Sequence, residues 1–441
     1  MNSKNIHYKI ALLVSLLGVF FTNSFAQTHL KHVGSSTIGG FIQDTDNQYS
    51  NSNFTLDTEL KSTGGKQTTQ KEGKKNQFKL YGDIRLRAEQ DWDSRRFDGN
   101  FRDDRFRLRY RLRFGFTYNW TNNISLGARL RSGVAESLQS PHNNFGHREF
   151  TGVPINLDKV FLSGKHDKYW WWAGKNSFPF WKQNELFWDD DVTPEGIAIG
   201  GSFDANGISI KPKAAYFITN TGNGNFDPKD PTNGMIDGQM IGGQLELGFK
   251  IKENKVTMAS SYYALKNINN VPTTDFFYNG DRFKLDYSFI VSGLKIELKT
   301  KSPITIGFDH FTNLEDYEGV PDTLINPIYK DQNTGFVISA KIGKLSEKGD
   351  WLFGYYYARK EEYSVVSYYT EDDWIRLGNI NRNRNTNYQG HEIRVAYAFD
   401  SRFNVVARAY FVEGLVTHDV AKESGNRFRL DFNMKFNKQV R

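Results

Sequence analysis

From Arg105 to Arg113 the chain reads RFRLRYRLR, with an arginine at every second position. Five guanidinium groups on one side of an extended chain present a row of fixed positive charge, suited to anions that pass or bind. A second stretch, from Trp172 to Gly200, sets Glu185, Asp189, Asp190, Asp191 and Glu195 among large aromatics. Carboxylates so close together can oppose a basic surface or ligate Ca²⁺. Nothing in either stretch resembles a catalytic set. His142, His147, His310, His391 and His418 are scattered, with neither nucleophile nor metal-ligand spacing, and cysteine is absent. No enzymatic activity, catalytic residue, resident metal or cofactor is therefore expected. Arginines interleaved with aromatics also suit nucleic acid, but an all-apolar opposite face and a leader for export argue against that partner.

The elements that carry these residues follow a two-residue period. Phe106, Leu108, Tyr110, Leu112, Phe114, Phe116, Tyr118 and Trp120 share one face of the arginine segment, opposed by Arg107, Arg109, Arg111 and Arg113. Leu80, Ile84 and Leu86 oppose Asp83, Arg85 and Arg87 just before it. Leu126, Ala128 and Leu130 oppose Arg129 and Arg131 just after the turn at Thr121 to Asn123. Phe428, Leu430, Phe432, Met434 and Phe436 oppose Arg427, Arg429 and Asp431 near the carboxyl end. Each is a strand with two unlike faces. Between Lys284 and Lys299 the apolar phase flips near Ser292-Gly293, which predicts a β-bulge at the glycine.

The wider chain suits export and a membrane. Of 441 residues 15% are aromatic, and the formal charge is +7. Lys4 and Lys9, the apolar run Ile10 to Phe21 and Ser24-Phe25-Ala26 read as a signal peptide over residues 1–26, whose removal leaves a charge of +5. Residues 27–77 are polar and read as a flexible periplasmic arm. From residue 78 to 441, short turns such as Asp204 to Gly207 and Asp400-Ser401 trade places with long polar connections such as Ser132 to Asn156, Thr221 to Asp237 and Ser364 to Asn387. Strands of about ten residues, asymmetric loops and aromatics at strand ends (Tyr169 to Trp172, Tyr355 to Tyr357) predict an all-β fold, a transmembrane antiparallel β-barrel of about sixteen strands, with a margin of two that reaches eighteen. Turns would face the periplasm and long loops the exterior. A soluble sandwich or propeller would alternate as well, but the strand lengths and loop asymmetry favour the barrel.

In a barrel of that size the polar faces line water, and closure sets the last strand beside the first. Arg85, Arg87, Arg107, Arg109, Arg111, Arg113, Arg129, Arg131, Arg427 and Arg429 would then form one pore-lining basic wall. Guanidinium groups about 5 Å apart repel by about 3 kcal/mol per pair at an effective dielectric near 20. Asp83, Glu89 and Asp431 on the same wall are too few to balance them.

The motif Trp172-Ala-Gly-Lys175, Phe178-Pro-Phe-Trp181, Trp188-Asp-Asp-Asp191 and Pro194-Glu-Gly196 resembles the putative porin family of Gram-negative outer membranes, akin to the phosphate-selective and alginate-export porins. The resemblance runs from about Phe78 to Phe436 and implies a passive, water-filled channel in the outer membrane. By analogy with general porins, the loop after the fifth strand is expected to fold inward as a constriction. Glu185, Asp189, Asp190, Asp191 and Glu195 lie on it, with the Asp189 to Asp191 cluster facing the arginines. The expected function is diffusion of small, anionic solutes; the alternative is an adhesin or surface receptor that uses the long loops. Outer-membrane lipid and small anions are the expected partners, and a homotrimer is compatible with a barrel of this size.

Overall fold

The computed structural model describes residues 78–135, 137–146, 149–220, 238–269, 284–321, 325–374, 385–417 and 419–440. The expected leader and arm, and the loop segments 221–237 and 375–384, lie outside them. Among the described residues eighteen strands occur in one sheet: β1 (Phe78–Arg95), β2 (Arg105–Asn119), β3 (Ile124–Ser132), β4 (Asn143–Asn144), β5 (Ile155–His166), β6 (Tyr169–Lys175), β7 (Glu195–Gly201), β8 (Phe203–Ala205), β9 (Ile208–Asn220), β10 (Gly238–Ile251), β11 (Asn254–Asn269), β12 (Lys284–Leu298), β13 (Ile304–Asn313), β14 (Thr334–Gly343), β15 (Trp351–Lys360), β16 (Tyr388–Ala398), β17 (Phe403–Gly414) and β18 (Ser424–Val440). Two of them add no stave of their own. β7 and β8 both pair with β9 and are halves of one stave, and the two-residue β4 only extends the edge of β2. Sixteen antiparallel staves remain, and β18 pairs with β1 from Phe78↔Val440 to Arg95↔Ser424, so the sheet closes.

The two faces separate as the alternation requires. On β2, Phe106 is 62% exposed whereas Arg111 is 4% exposed. Ile84, Leu86, Leu108, Leu112, Phe114, Leu130, Ile197 and Ile199 share the outward face, an apolar band of the kind that meets lipid. At the short-turn end, Asn206 and Gly207 take φ of 53° and 77°, the left-handed pair that joins two strands with matching twist. Phe436 does not end its strand: residues 437–440 continue the pairing with Phe78 to Tyr81.

The sequence misleads at β12. Its register with β11 and with β13 runs unbroken through Ser292 and Gly293, so there is no bulge at the glycine. Instead Leu285, Tyr287 and Phe289 point into the barrel, where they are buried, and Leu294 and Ile296 point out. The phase flips because the inward face there meets apolar material and not water.

That material is supplied by two connections that turn into the lumen. Residues 176–194, between the fifth and sixth staves, bring Phe178, Phe180, Phe187 and Trp188 against Tyr263, Phe289 and Phe311 of β11 to β13. Phe178 stacks on Trp188 at 4.2 Å between centroids, and Phe180 is fully buried. Residues 361–374, most of them in the connection Ser364 to Asn387 read from sequence as an outer loop, also descend: Tyr363, Val365, Val366, Tyr368 and Trp374 are buried, and Tyr369 packs on Trp188. The expectation that every polar face lines water therefore holds only for part of the wall, because an aromatic core fills the lumen beside β11 to β16.

Truncating Phe180 to alanine should cost this plug about 3–5 kcal/mol of packing without opening the barrel. Heat-modifiable migration on a semi-native gel should persist while residues 176–194 become open to protease. Continued protection would contradict the packing described.

Candidate functional site

The arginines converge on one side of the lumen because β18, β1, β2 and β3 are neighbours and each turns its arginine-bearing face inward. Register decides which charges meet. Across β1 and β2, Arg85 lies opposite Arg111 and Arg87 opposite Arg109, while Arg113 faces Arg131 of β3. Across β18 and β1 the pattern is staggered, with Arg429 opposite Glu89, Arg427 opposite Asp91 and Asp431 opposite Arg87. The β18 arginines thus meet acids, not the side-by-side arginines expected.

More acids reach the wall than its own alternation suggests. Asp83 bridges Arg111 (2.9 Å) and Arg113 (2.7 Å); Glu89 serves Arg107 and Arg109; Asp91 serves Arg105 (2.6 Å) and Arg427 (2.7 Å). Asp431 pairs with Arg87 at 2.7 Å and with Arg429 at 3.1 Å. Asp158 on β5 holds Arg129 at 2.5 Å and lies 3.8 Å from Arg131, whose guanidinium also donates to the Ser137 carbonyl. Asp158 reaches inward beside Lys159 because the β3–β5 register slips at Arg129/Leu130, and a bulge lets two consecutive residues face one way. The inward loops contribute the rest. Asp191 binds Arg111 at 3.0 Å and Arg113 at 2.6 Å, and Asp373 binds Arg87 at 3.1 Å and also Arg429. Arg85 donates to Asn433 at 2.7 Å and, among the described residues, has no carboxylate at ion-pair distance.

The acidic stretch divides three ways. Asp191 alone of the aspartates faces the wall; burial opposes its charge, but Arg111 and Arg113 outweigh that and hold its carboxyl below the usual range. Asp190 pairs with Lys182 at 2.5 Å. Asp189 turns into the interior, where its carboxyl and those of Glu185 and Glu371 lie within 4.8 Å of one another. Burial, then the neighbouring carboxylates, raise all three, Glu371 to about 7. Glu371, Asp372 and Asp373 form a second group close enough to share a cation, but the salt bridges of Asp373 commit it to arginines. Glu195 is set apart: it starts β7, is exposed, and pairs with Lys175 at 2.7 Å.

Sequence reasoning missed part of the wall. Arg394 and Arg408 extend it onto β16 and β17 in the row Arg394↔Arg408↔Arg429. Arg394 lies on the polar face of an alternating segment, Glu392 to Phe399, and could have been found there, whereas Arg408 is flanked by alanines that mark no face. Among the histidines, His142 is at the lumen, with Nδ1 3.5 Å from the Ser140 hydroxyl, which accepts from Arg109 at 2.7 Å. Burial, then the surrounding arginines, hold that imidazole neutral. Between the wall and the inward loops runs a cavity of about 480 Å³, lined by eleven basic and seven acidic side chains.

A closed sixteen-stave barrel, apolar outside and charged within, is an integral outer-membrane β-barrel. The family whose model matches is the putative porin family, over residues 95–292, a span that includes the whole motif from Trp172 to Gly196. Similar solved structures include OprB of Pseudomonas putida at high pH (10% identity, 82% of this chain and 94% of that one, TM-score 0.49). Others are a loop-L8 deletion mutant of OmpT, an outer membrane protein of Vibrio cholerae (13%, 82% and 99%, 0.47), and OmpF of Salmonella typhi with daunomycin (11%, 82% and 98%, 0.47). No curated protein matches the chain.

Replacing Asp191 by asparagine breaks two buried charge pairs and leaves Arg111 and Arg113 sharing Asp83, a change worth about 3–5 kcal/mol. The tip of residues 176–194 should come away from the wall, and trypsin should cut at Lys182. Cleavage no faster than in the native protein would refute this attachment.

Proposed function

We propose that the protein passes small solutes across the outer membrane by passive diffusion and favours anions. The observation that carries this reading is the imbalance in the cavity, eleven basic against seven acidic side chains along its length. A cleft between low-dielectric walls focuses such an excess and raises the local concentration of counter-ions. The supply of carboxylates is also incomplete. Among the described residues Arg85 has only Asn433 as a side-chain partner, and the Nε groups of Arg109 and Arg111 are buried without an acceptor. Arg85 lines the cavity, and a passing anion can supply the charge partner it lacks.

In this reading residues 176–194 form the constriction. Asp191 bounds the conduit where the loop edge meets Arg111 and Arg113, beside Arg85, so that solutes pass the unpaired Arg85 next to an acidic edge. Glu185 and Asp189 act behind that edge, where they hold the loop, and Glu195 has no part in it.

Two measurements in planar bilayers test the proposal. The reversal potential in a salt gradient should report anion preference, and neutralising Arg85, Arg109 and Arg111 together should reduce it, most at low ionic strength where screening is weakest. Cation preference indifferent to those changes would overturn the selectivity. Deleting Phe178 to Asp191 should raise single-channel conductance, and unchanged conductance would remove the constriction.

A further inference from the structure

The two inward connections are joined to each other through a narrow contact. The Asp189 amide donates to the Tyr369 carbonyl at 2.6 Å, and the Glu371 amide donates to the Glu185 carbonyl at 3.0 Å. The Thr370 hydroxyl donates to the Leu186 carbonyl at 2.6 Å and accepts from the Lys360 ammonium at 2.6 Å. The carboxyls of Glu185, Asp189 and Glu371 meet at the centre of this contact, within 4.8 Å of one another. Three charges at that spacing in a buried site cannot coexist cheaply. Two carboxyls that share a proton, by contrast, are held together by it.

We propose that Glu185, Asp189 and Glu371 form a proton-operated clasp between residues 176–194 and residues 361–374, closed while the carboxyls share protons and loosened as they ionise. The clasp controls how firmly the plug narrows the conduit, and it does so whichever ion passes.

The surrounding charges do not cancel the effect. Lys182 is committed to Asp190, Asp191 to Arg111 and Arg113, and Arg429 to Asp373 and Asp431. Asp372 adds a further negative charge beside Asp189 and Glu371. From β16 and β17, Tyr388 and Tyr410 contribute neutral phenols near Glu371. Lys360 on β15 faces Glu371 and Asp189 and can balance one carboxylate, not three. The sign follows from the raised carboxyls: stability is fully present below their ordinary range and is lost as pH rises through about 7, where Glu371 titrates.

Amide hydrogen exchange on the full chain in detergent micelles, corrected for intrinsic rates, reads the clasp directly. From pH 5.5 to 8.5 the protection of the Asp189 and Glu371 amides should fall at least about tenfold, since one unit of carboxyl shift already corresponds to that factor. In the Glu185→Gln, Glu371→Gln double variant, where Asp189 keeps its burial but loses both carboxyl partners, the fall should be clearly smaller than in the native protein. Single-channel conductance of the native protein should rise over the same interval, and that of the variant should rise less. Protection independent of pH, or an equal fall in the double variant, would overturn the clasp. Absence of conductance at every pH would refute the channel and leave the exchange result to decide the clasp.

Discussion

Everything inside this barrel depends on the seam at which β18 meets β1. In hydrocarbon an unpaired backbone amide or carbonyl costs several kcal/mol, so an open edge cannot persist and the first and last strands must pair. That necessity, not any attraction between side chains, brings β18, with Arg427 and Arg429, alongside β1, with Arg85 and Arg87, across more than 330 residues of chain. The wall is a by-product of closure. Its charges then need partners, and the seam's stagger provides the first of them, aligning Glu89, Asp91 and Asp431 with arginines of the neighbouring strand.

The second supply of partners explains why loops enter the lumen. Arg111 and Arg113 would retain one shared acid, Asp83, without Asp191, and Arg87 and Arg429 would share only Asp431 without Asp373. Both loop acids lie at the ends of aromatic runs that bury themselves against β11 to β16. Apolar burial on one side of the lumen therefore positions carboxylates on the other. The space left between is charged on both banks, in excess on the arginine side.

Much of this was legible from residue order, and the failures are instructive. Alternation in RFRLRYRLR is local, so the inward face of β2 and the apolar band outside it could be read directly. Closure is a global constraint with a simple rule, so β18 could be placed beside β1 as well, but the stagger that sets Arg427 and Arg429 against Asp91 and Glu89 could not be read. Asp158 could not be found, because a bulge in the register of β3 and β5 has no mark in the sequence. The flip at Ser292-Gly293 was misread as a bulge because the strand's inward partner is a loop more than a hundred residues earlier. The Asp189 to Asp191 run looks like one unit, yet three consecutive side chains in a turn point three ways. Its division into a wall contact, a lysine pair and a buried carboxyl cluster is set by tertiary packing alone.

The central claim is a conduit beside the plug that is open to small solutes and richer in positive than in negative charge. Swelling of proteoliposomes in isosmotic solutions of small anionic, neutral and cationic solutes of matched size tests it most directly. Swelling should be fastest for the anions and slowest for the cations, with the difference shrinking as salt is added. Failure to swell in any of the three, or faster entry of cations, would contradict it.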